Sequence, residues 1–287
     1  MKILITGEKS YIGNSFKKYL EEFYNERYEI DKISLRNSNW QVKDFSKYDA
    51  ILHVAGIVHA KSNAVDDSLY YAVNRDLTYQ LAKKAKQEKV KQFIFLSTMS
   101  VYGVDNGTIY EDTIPSPVTL YGKSKLEAEK LLKSLSTSQF VITIVRPPMV
   151  YGKGCGGNYK KLSKISSFVP VFPKYTNSRS MIFIENLVEL IRILAEDQFE
   201  GVYCPQNEEY VNTSNMVELI AKENGRKIKL TNKVNFLIKL ALKRVNLVNK
   251  IFGTLVYDKN LSTYNKPYNL VSFEESISKA EADKSGI

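Results

Sequence analysis

The chain predicts an α/β fold, a doubly wound parallel sheet with a smaller C-terminal lobe. Three observations carry that expectation. Short apolar runs alternate with helix-periodic segments through residue 150. The first run ends in a glycine turn that opens a helix. Later runs end in small or hydroxyl residues, as strands do where a parallel sheet binds ligands.

The elements follow in order. Residues 2–6 read as a buried strand. Thr6-Gly7-Glu8-Lys9-Ser10-Tyr11-Ile12-Gly13 follows, and then a helix with Phe16, Leu20 and Phe23 on one face. A strand, glycine turn and helix in this order place a pyrophosphate at the helix N-terminus. Gly7 serves the tight turn and Gly13 close helix–strand packing. Ser10 stands where the middle glycine is usual; it is small and can donate to phosphate. Tyr28 to Leu35 reads as the second strand, followed by Arg36 rather than the acid that holds a ribose 2′-hydroxyl. Arg36, with Ser34, suits the 2′-phosphate of NADP, with NAD the alternative.

Asp44-Phe45 form a turn before a third strand, Asp49 to Gly56, where Ala55-Gly56 let a dinucleotide pass close. His53 lies inside this apolar run and reads as a satisfied core histidine; His59, past the strand, stays open. Residues 66–88 carry helical periodicity through Leu69, Val73, Leu77, Leu81 and Ala85, with Asn74 among them placed to order nearby backbone. Lys91 to Ser97 is the fourth strand, leading to Thr98-Met99-Ser100. Asp112 to Thr119 is a proline-rich loop, and Phe140 to Val145 the fifth strand. Domains are expected at 1–150, with returning segments near 180–205, and at 151–287. Within the latter, Met181 to Ile184 leads into a helix and Gly201 to Cys204 is a further strand candidate. Ser272-Phe273-Glu274-Glu275 fits a capping box.

Composition narrows the function. Of 287 residues 44% are hydrophobic and 25% charged, an ordinary globular balance. No apolar run reaches the roughly 20 residues of a membrane span. The start lacks a secretory pattern, and the only cysteines, Cys155 and Cys204, form no metal cluster; a reduced cytoplasmic setting is expected. The net charge of +10 suits an anionic ligand or an acidic membrane surface. No zinc-finger, helix-turn-helix or RNA-sheet signature argues for nucleic acid. The stretch 226–250 has no acid, while Leu237, Ile238, Leu240 and Leu242 are apolar, so contact with a membrane surface or lipid is one reading and a lobe-capping helix the other.

The chemistry centres on Tyr121 and Lys125, four residues apart at the start of a helix and so on one face. A nearby ammonium is expected to lower the phenol pKa, so that Tyr121 can exchange a proton with an alcohol or ketone.

Together these motifs resemble the extended short-chain dehydrogenase/reductases, the NAD-dependent epimerase/dehydratase family, acting on nucleotide sugars. The resemblance rests on Thr6-Gly7…Gly13, His53-Val54-Ala55-Gly56, Asn74, Ser97-Thr98…Val101-Tyr102-Gly103, Tyr121-Gly122-Lys123-Ser124-Lys125 and Arg146…Val150-Tyr151-Gly152. It implies a Rossmann domain and the catalytic set Thr98, Tyr121 and Lys125. The implied cofactor contacts are Gly7, Ser10, Tyr11, Ile12, Gly13, Arg36, Asp44, Phe45, Ala55, Gly56, Asn74, Ser97, Tyr121, Lys125 and Pro148. Thr98, Met99, Asn158 and Arg179 are implied at the substrate, Arg179 gripping its diphosphate. Met149 replaces the family's asparagine, with Asn158 as its substitute. Arg146 to Gly152, Asn177 to Ser180 and Phe252 to Tyr257 look like the capsular-polysaccharide enzymes that reduce a UDP-4-keto-6-deoxy-N-acetylhexosamine.

The leading expectation is therefore a 4-keto reductase with NADPH and a UDP-sugar. A 4-epimerase using the same three residues and bound NAD is the alternative, and a non-catalytic NADP-binding regulator is more remote. A 4,6-dehydratase is disfavoured because Met99-Ser100 replaces its Asp-Glu pair. The helices at 66–88 and after Tyr121 could pair in a homodimer.

Overall fold

A computed structural model describes residues 1–58, 67–242 and 244–282; His59 lies outside the described residues. The chain forms two compact units. The first comprises Met1–Gly103, Ile114–Pro147 and Val188–Pro205; the second comprises Val104–Thr113, Pro148–Leu187 and Gln206–Ile287.

The first unit is built on a six-stranded sheet of β1 (Lys2–Thr6), β2 (Glu29–Ile33), β3 (Ala50–His53), β4 (Gln92–Leu96), β5 (Val141–Val145) and β6 (Gly201–Tyr203). Its order is β6-β5-β4-β3-β1-β2, every pair parallel. The chain leaves β1 toward β2, then crosses back to β3, so the strand order reverses beside β1. Crevices for ligands open at such a reversal, outside the strands' carboxyl ends. Ile3, Leu4, Ile5, Phe93, Ile94 and Phe95 are fully buried, which is why these strands read as unbroken apolar runs rather than alternating ones.

Helix α1 (Tyr11–Phe23) buries Phe16, Tyr19 and Leu20. The expected Phe23 is exposed in the last turn, resting against the Tyr19 ring at 4.9 Å. The helix expected over 66–88 is divided. Asp67–Tyr71 is α-helical, Ala72–Asp76 is a π turn, and α2 spans Leu77–Gln87. A π turn inserts one residue and rotates what precedes it, so Leu81 and Ala85 are buried while Leu69 is exposed. The second strand ends at Ile33, short of the expected Leu35.

Helix α3 (Leu120–Lys133) starts at the Thr119 cap, whose hydroxyl accepts from the Gly122 N–H. The turn before it is tight. Gly103 has φ +69°, and a Cβ there would sit 1.9 Å from the Ser116 carbonyl oxygen. Gly103→Ala is expected to cost about 2–4 kcal/mol, combining left-handed backbone strain with overpacking. Chemical denaturation of the purified variant measures the loss.

In the second unit, α4 (Gly157–Ser166), α5 (Thr213–Glu223) and a terminal helix (Phe273–Glu281) surround a polar knot in an apolar core. Glu281 accepts from Tyr159 at 2.8 Å, Ser163 at 3.1 Å and Asn224 at 2.9 Å. The buried Tyr151 hydroxyl meets Ser276 at 2.6 Å and accepts from Asn207 at 2.8 Å. Ser272 caps the terminal helix by accepting from the Glu275 N–H, as its position in the sequence predicts. Among the described residues, no helix is long and apolar enough to cross a membrane.

Candidate active site

The carboxyl ends of β1, β3 and β4 bring together most of the first unit's expected site residues. Gly7 follows β1 with φ +99°, and a Cβ there would meet the Ala55 backbone nitrogen at 3.1 Å. Only glycine lets the two loops approach so closely. Ser10 caps α1, its hydroxyl oxygen accepting from the Gly13 N–H at 3.3 Å while its own proton stays free to donate elsewhere. Tyr11 and Ile12 form the first turn. A Cβ on Gly13 would lie 2.8 Å from Ile5 Cγ2, so Gly13 lets α1 pack on β1. No acid stands in the first turn of α1, so its free N–H groups and positive dipole end are not neutralised. The narrow glycine turn, small Ala55 and Gly56, and an acid-free helix N-terminus fit a dinucleotide pyrophosphate.

Other expected contacts divide. Arg36 is exposed just beyond β2, where a ribose would be read, with no carboxylate among its neighbours in sequence from Ile33 to Val42. Asp44 is exposed and its carboxylate accepts from the Ser46 N–H and hydroxyl, which holds it below the usual carboxylate range. Phe45 is a core side chain, and Glu88 already accepts from its N–H. Pro148 is buried and belongs to the second unit.

Asn74 has the role its sequence position implies. It is fully buried in the π turn; its Oδ1 accepts from Ile57 N–H at 2.8 Å and its Nδ2 donates to Ile57 O at 3.0 Å and Ser124 Oγ at 3.1 Å. It thereby fixes the backbone after β3. His53 ends β3 but is buried in the core, its two nitrogens bonded to Thr6 and Thr78 hydroxyls at 2.6 and 2.8 Å. Burial pushes its pKa down to about 3, so it is neutral, as expected of a core histidine.

Thr98 caps the short 3₁₀ turn Met99–Tyr102, accepting from the Ser100 N–H at 3.2 Å. Its hydroxyl donates to Ser100 Oγ at 3.2 Å and favours ionisation of the Tyr121 phenol. Burial outweighs that effect and raises the phenol pKa above its ordinary value. The expected lowering by Lys125 is not what the structure shows. The Lys125 ammonium is turned inward, donating to Leu96 O at 2.8 Å and lying 4.4 Å from the centre of the Phe95 ring. Burial pushes its pKa down to about 7, partly offset by Glu129. A buried ammonium directed at a carbonyl is not among the groups that shift the phenol. Lys125 is still at the site: a Cβ on Gly56 would come 3.3 Å from its Nζ and 3.0 Å from Asn74 Oδ1.

Two residues beneath the site had been given no role. Tyr121, Lys125 and Glu129 recur at four-residue spacing along one face of α3. Glu129 is buried, accepts from Arg146 Nε at 3.0 Å and Nη2, and accepts from the Ser97 hydroxyl. Arg146 also donates to the Tyr102 hydroxyl at 2.8 Å. Ser97 is thus turned into this network rather than toward the open edge. The signal was available as one more i+4 step beyond Lys125, with an arginine at the end of the fifth strand.

In the second unit, a cavity of about 540 Å³ is lined by Met149, Asn158, Leu162, Phe168, Met181 and Arg179, among others. Arg179 donates to Gly253 O at 3.1 Å. Burial lowers its pKa, partly offset by Asp105. Among the described residues no carboxylate accepts a hydrogen bond from Arg179, so its remaining N–H groups suit an anion. Asn158 lies on the same wall and Thr213 lines the cavity with them. The substrate candidates Asn158 and Arg179 therefore share one cavity, while Thr98 and Met99 belong to the first unit.

The Lys125 shift has a consequence for stability. The folded chain binds fewer protons than the unfolded chain between pH 7 and the ordinary lysine value of 10.5. The burial penalty is full below pH 7 and is relieved as pH rises through that window. Thermal melting of Lys125→Met is expected to lack this component of pH-dependent gain. Parallel melting curves for variant and parent across the window would contradict the shift.

The model of the NAD dependent epimerase/dehydratase family matches residues 3–204. The chain is 34% identical over 224 residues to UDP-glucose 4-epimerase of Vibrio cholerae, covering 66% of this chain and 65% of that protein. It is 26% identical over 235 residues to N-acetyl-alpha-D-glucosaminyl-diphospho-ditrans,octacis-undecaprenol 4-epimerase of Escherichia coli O157:H7, covering 79% of this chain and 70% of that one. The structure of UDP-glucuronic acid 4-epimerase from Bacillus cereus in complex with NAD superposes with a TM-score of 0.74 at 20% identity, covering 98% of this chain and 97% of that chain.

Proposed function

Because the chain belongs to the NAD dependent epimerase/dehydratase family, we propose that it is a sugar 4-epimerase acting on a UDP-sugar. The observation that carries this reading is Tyr121 and buried Lys125 on one face of α3, with the Lys125 ammonium held to Leu96 O at the carboxyl edge of the parallel sheet where Thr98 follows. The two relatives described above bear 4-epimerase names, which favours epimerisation over the 4-keto reduction that the sequence motifs first suggest.

Gly7, Ser10, Tyr11, Ile12, Gly13, Ala55 and Gly56 would hold the nicotinamide dinucleotide. When bound, that cofactor supplies reversible hydride exchange. Tyr121 takes the proton of the C4 hydroxyl as the carbinol is oxidised and returns one to the same oxygen on reduction. Burial favours the protonated phenol that serves the donating step, and the accepting step uses the phenolate, which the Thr98 hydroxyl favours. Thr98 hydrogen-bonds the same oxygen and stabilises its developing charge. Lys125 holds the ribose side of the site. Arg179, in the second unit's cavity, carries a planar donor fork of the kind that suits a diphosphate. Met99 and Ser100 follow Thr98 without a carboxylate, so the set can move a proton at one carbinol but lacks an acid–base pair for elimination.

A 4-keto reductase using NADPH is the second reading. Exposed Arg36 past β2, where NAD-binding folds often place an acid, favours it. Incubation with a panel of UDP-sugars and product identification separates the two. The epimerase interconverts C4 isomers without net dinucleotide consumption, whereas stoichiometric loss of NADPH on a 4-keto-6-deoxy sugar establishes the reductase. No turnover on either panel leaves a dinucleotide-binding regulator. Tyr121→Phe is expected to lower turnover by about 10²–10⁴-fold while dinucleotide binding, measured by calorimetry, stays nearly intact. Retained turnover in that variant removes Tyr121 from the chemistry.

A further inference from the structure

Among the described residues, six of the fifteen large apolar side chains left exposed fall in two short stretches of the second unit: Phe168 and Val171, and Phe236, Leu237, Leu240 and Val245. Three of them stand on the eight-residue helix Asn235–Leu242. At 100° per residue, Phe236, Leu240 and Leu237 span one arc of about 100°. They are 66%, 59% and 56% exposed, while Ile238, on the far side, is buried. This helix therefore satisfies its own packing with Ile238 and presents a second apolar face to solvent. A helix that only caps a lobe has no use for that face.

The two stretches are tied together. Strand 171–173 pairs with strand 229–231 in register Val171 to Lys229, so these two side chains share a sheet face. The Lys174 N–H donates to Thr231 O at 2.8 Å, and the Asn235 side chain donates to Lys174 O at 2.8 Å, which fastens the start of the helix to the end of the strand.

The charge along this segment is of one sign. Residues 226–250 hold eight lysines and arginines and no aspartate or glutamate. Lys229, Lys233, Lys239, Arg244 and Lys250 are exposed, as is Lys174. A second copy of the same face would bring like charges together, which disfavours self-association through it. Aromatic and aliphatic side chains set among cations on long stems match an anionic bilayer surface: the apolar groups enter the headgroup–acyl boundary and the cations meet lipid phosphates.

We propose that this acid-free segment, centred on Phe236, Leu237 and Leu240, docks the protein reversibly on anionic lipid bilayers. The proposal does not depend on the epimerase reading. The docking would bring the chain to the membrane, with no helix among the described residues long and apolar enough to span it.

Co-sedimentation of the full chain with vesicles tests it. Vesicles of equimolar phosphatidylcholine and phosphatidylglycerol are expected to bind at least about tenfold more tightly than pure phosphatidylcholine, the gain falling away in high salt. The double variant F236S/L240S should lose about tenfold or more of that binding, as should K239E/R244E. Unchanged melting temperatures and dinucleotide binding confirm that both variants are folded. Absence of phosphatidylglycerol-dependent binding at low salt overturns the proposal, as does binding that both folded variants retain. Concentration-dependent self-association abolished by the same substitutions, without vesicle binding, assigns the face to a second copy and equally overturns it.

Discussion

The buried ion pair between Glu129 and Arg146 is the constraint on which the first unit's site depends. Arg146 stands at the end of β5 and Glu129 on the third turn of α3, and the Ser97 hydroxyl at the end of β4 donates to the same carboxylate. One anion thus joins two strand ends and a helix. Removing either charge would strand its partner without water, a loss of about 3–5 kcal/mol for a buried pair. Because α3 is held at Glu129, the residues one and two turns earlier, Lys125 and Tyr121, are placed against the edge formed by Leu96 and Thr98. The pair is better understood as a device for register than as a source of net stability, since desolvation offsets much of its attraction.

Above that anchor the site is assembled by close approach. Gly7 meets the Ala55 backbone, Gly56 lies against Asn74 and Lys125, and Gly13 presses α1 onto Ile5. Asn74 then fastens the loop after β3 through both its amide oxygen and its amide nitrogen. Each contact draws a strand end toward a helix, and together they leave backbone N–H groups and small side chains facing the reversal of strand order. The polar groups that have no anion of their own, in the α1 N-terminus and in Arg179 within the second unit, are the ones suited to phosphate.

Much of this was legible in residue order. The glycine turn, the parallel strands, neutral His53, the anchoring role of Asn74 and the strand at Gly201 to Tyr203 agree with the structure because each rests on local chemistry: backbone freedom, apolar runs or a polar residue among helical neighbours. The failures have a common origin. Leu69 and Phe23 obey helical spacing but fall outside the core, one because a π turn rotates its helix and the other because the helix outruns the sheet. Reductase and epimerase readings share the same short motifs, which therefore do not separate them; it is the relatives matched over a longer span that bear 4-epimerase names.

Residue order alone carried the fold class, the glycine turn after the first strand and the pairing of Tyr121 with Lys125 on one helix face, since those follow from periodicity and spacing; the grouping of Thr98 with that pair is what the family resemblance implies. The tertiary structure decided how the set is tuned. Spacing places Lys125 beside Tyr121, but only packing turns its ammonium to Leu96 O and lowers its pKa by burial, so that burial and Thr98, not the lysine, govern the phenol. Electrostatics in an interior depend on direction and desolvation, and neither is written in the distance between two residues along a chain.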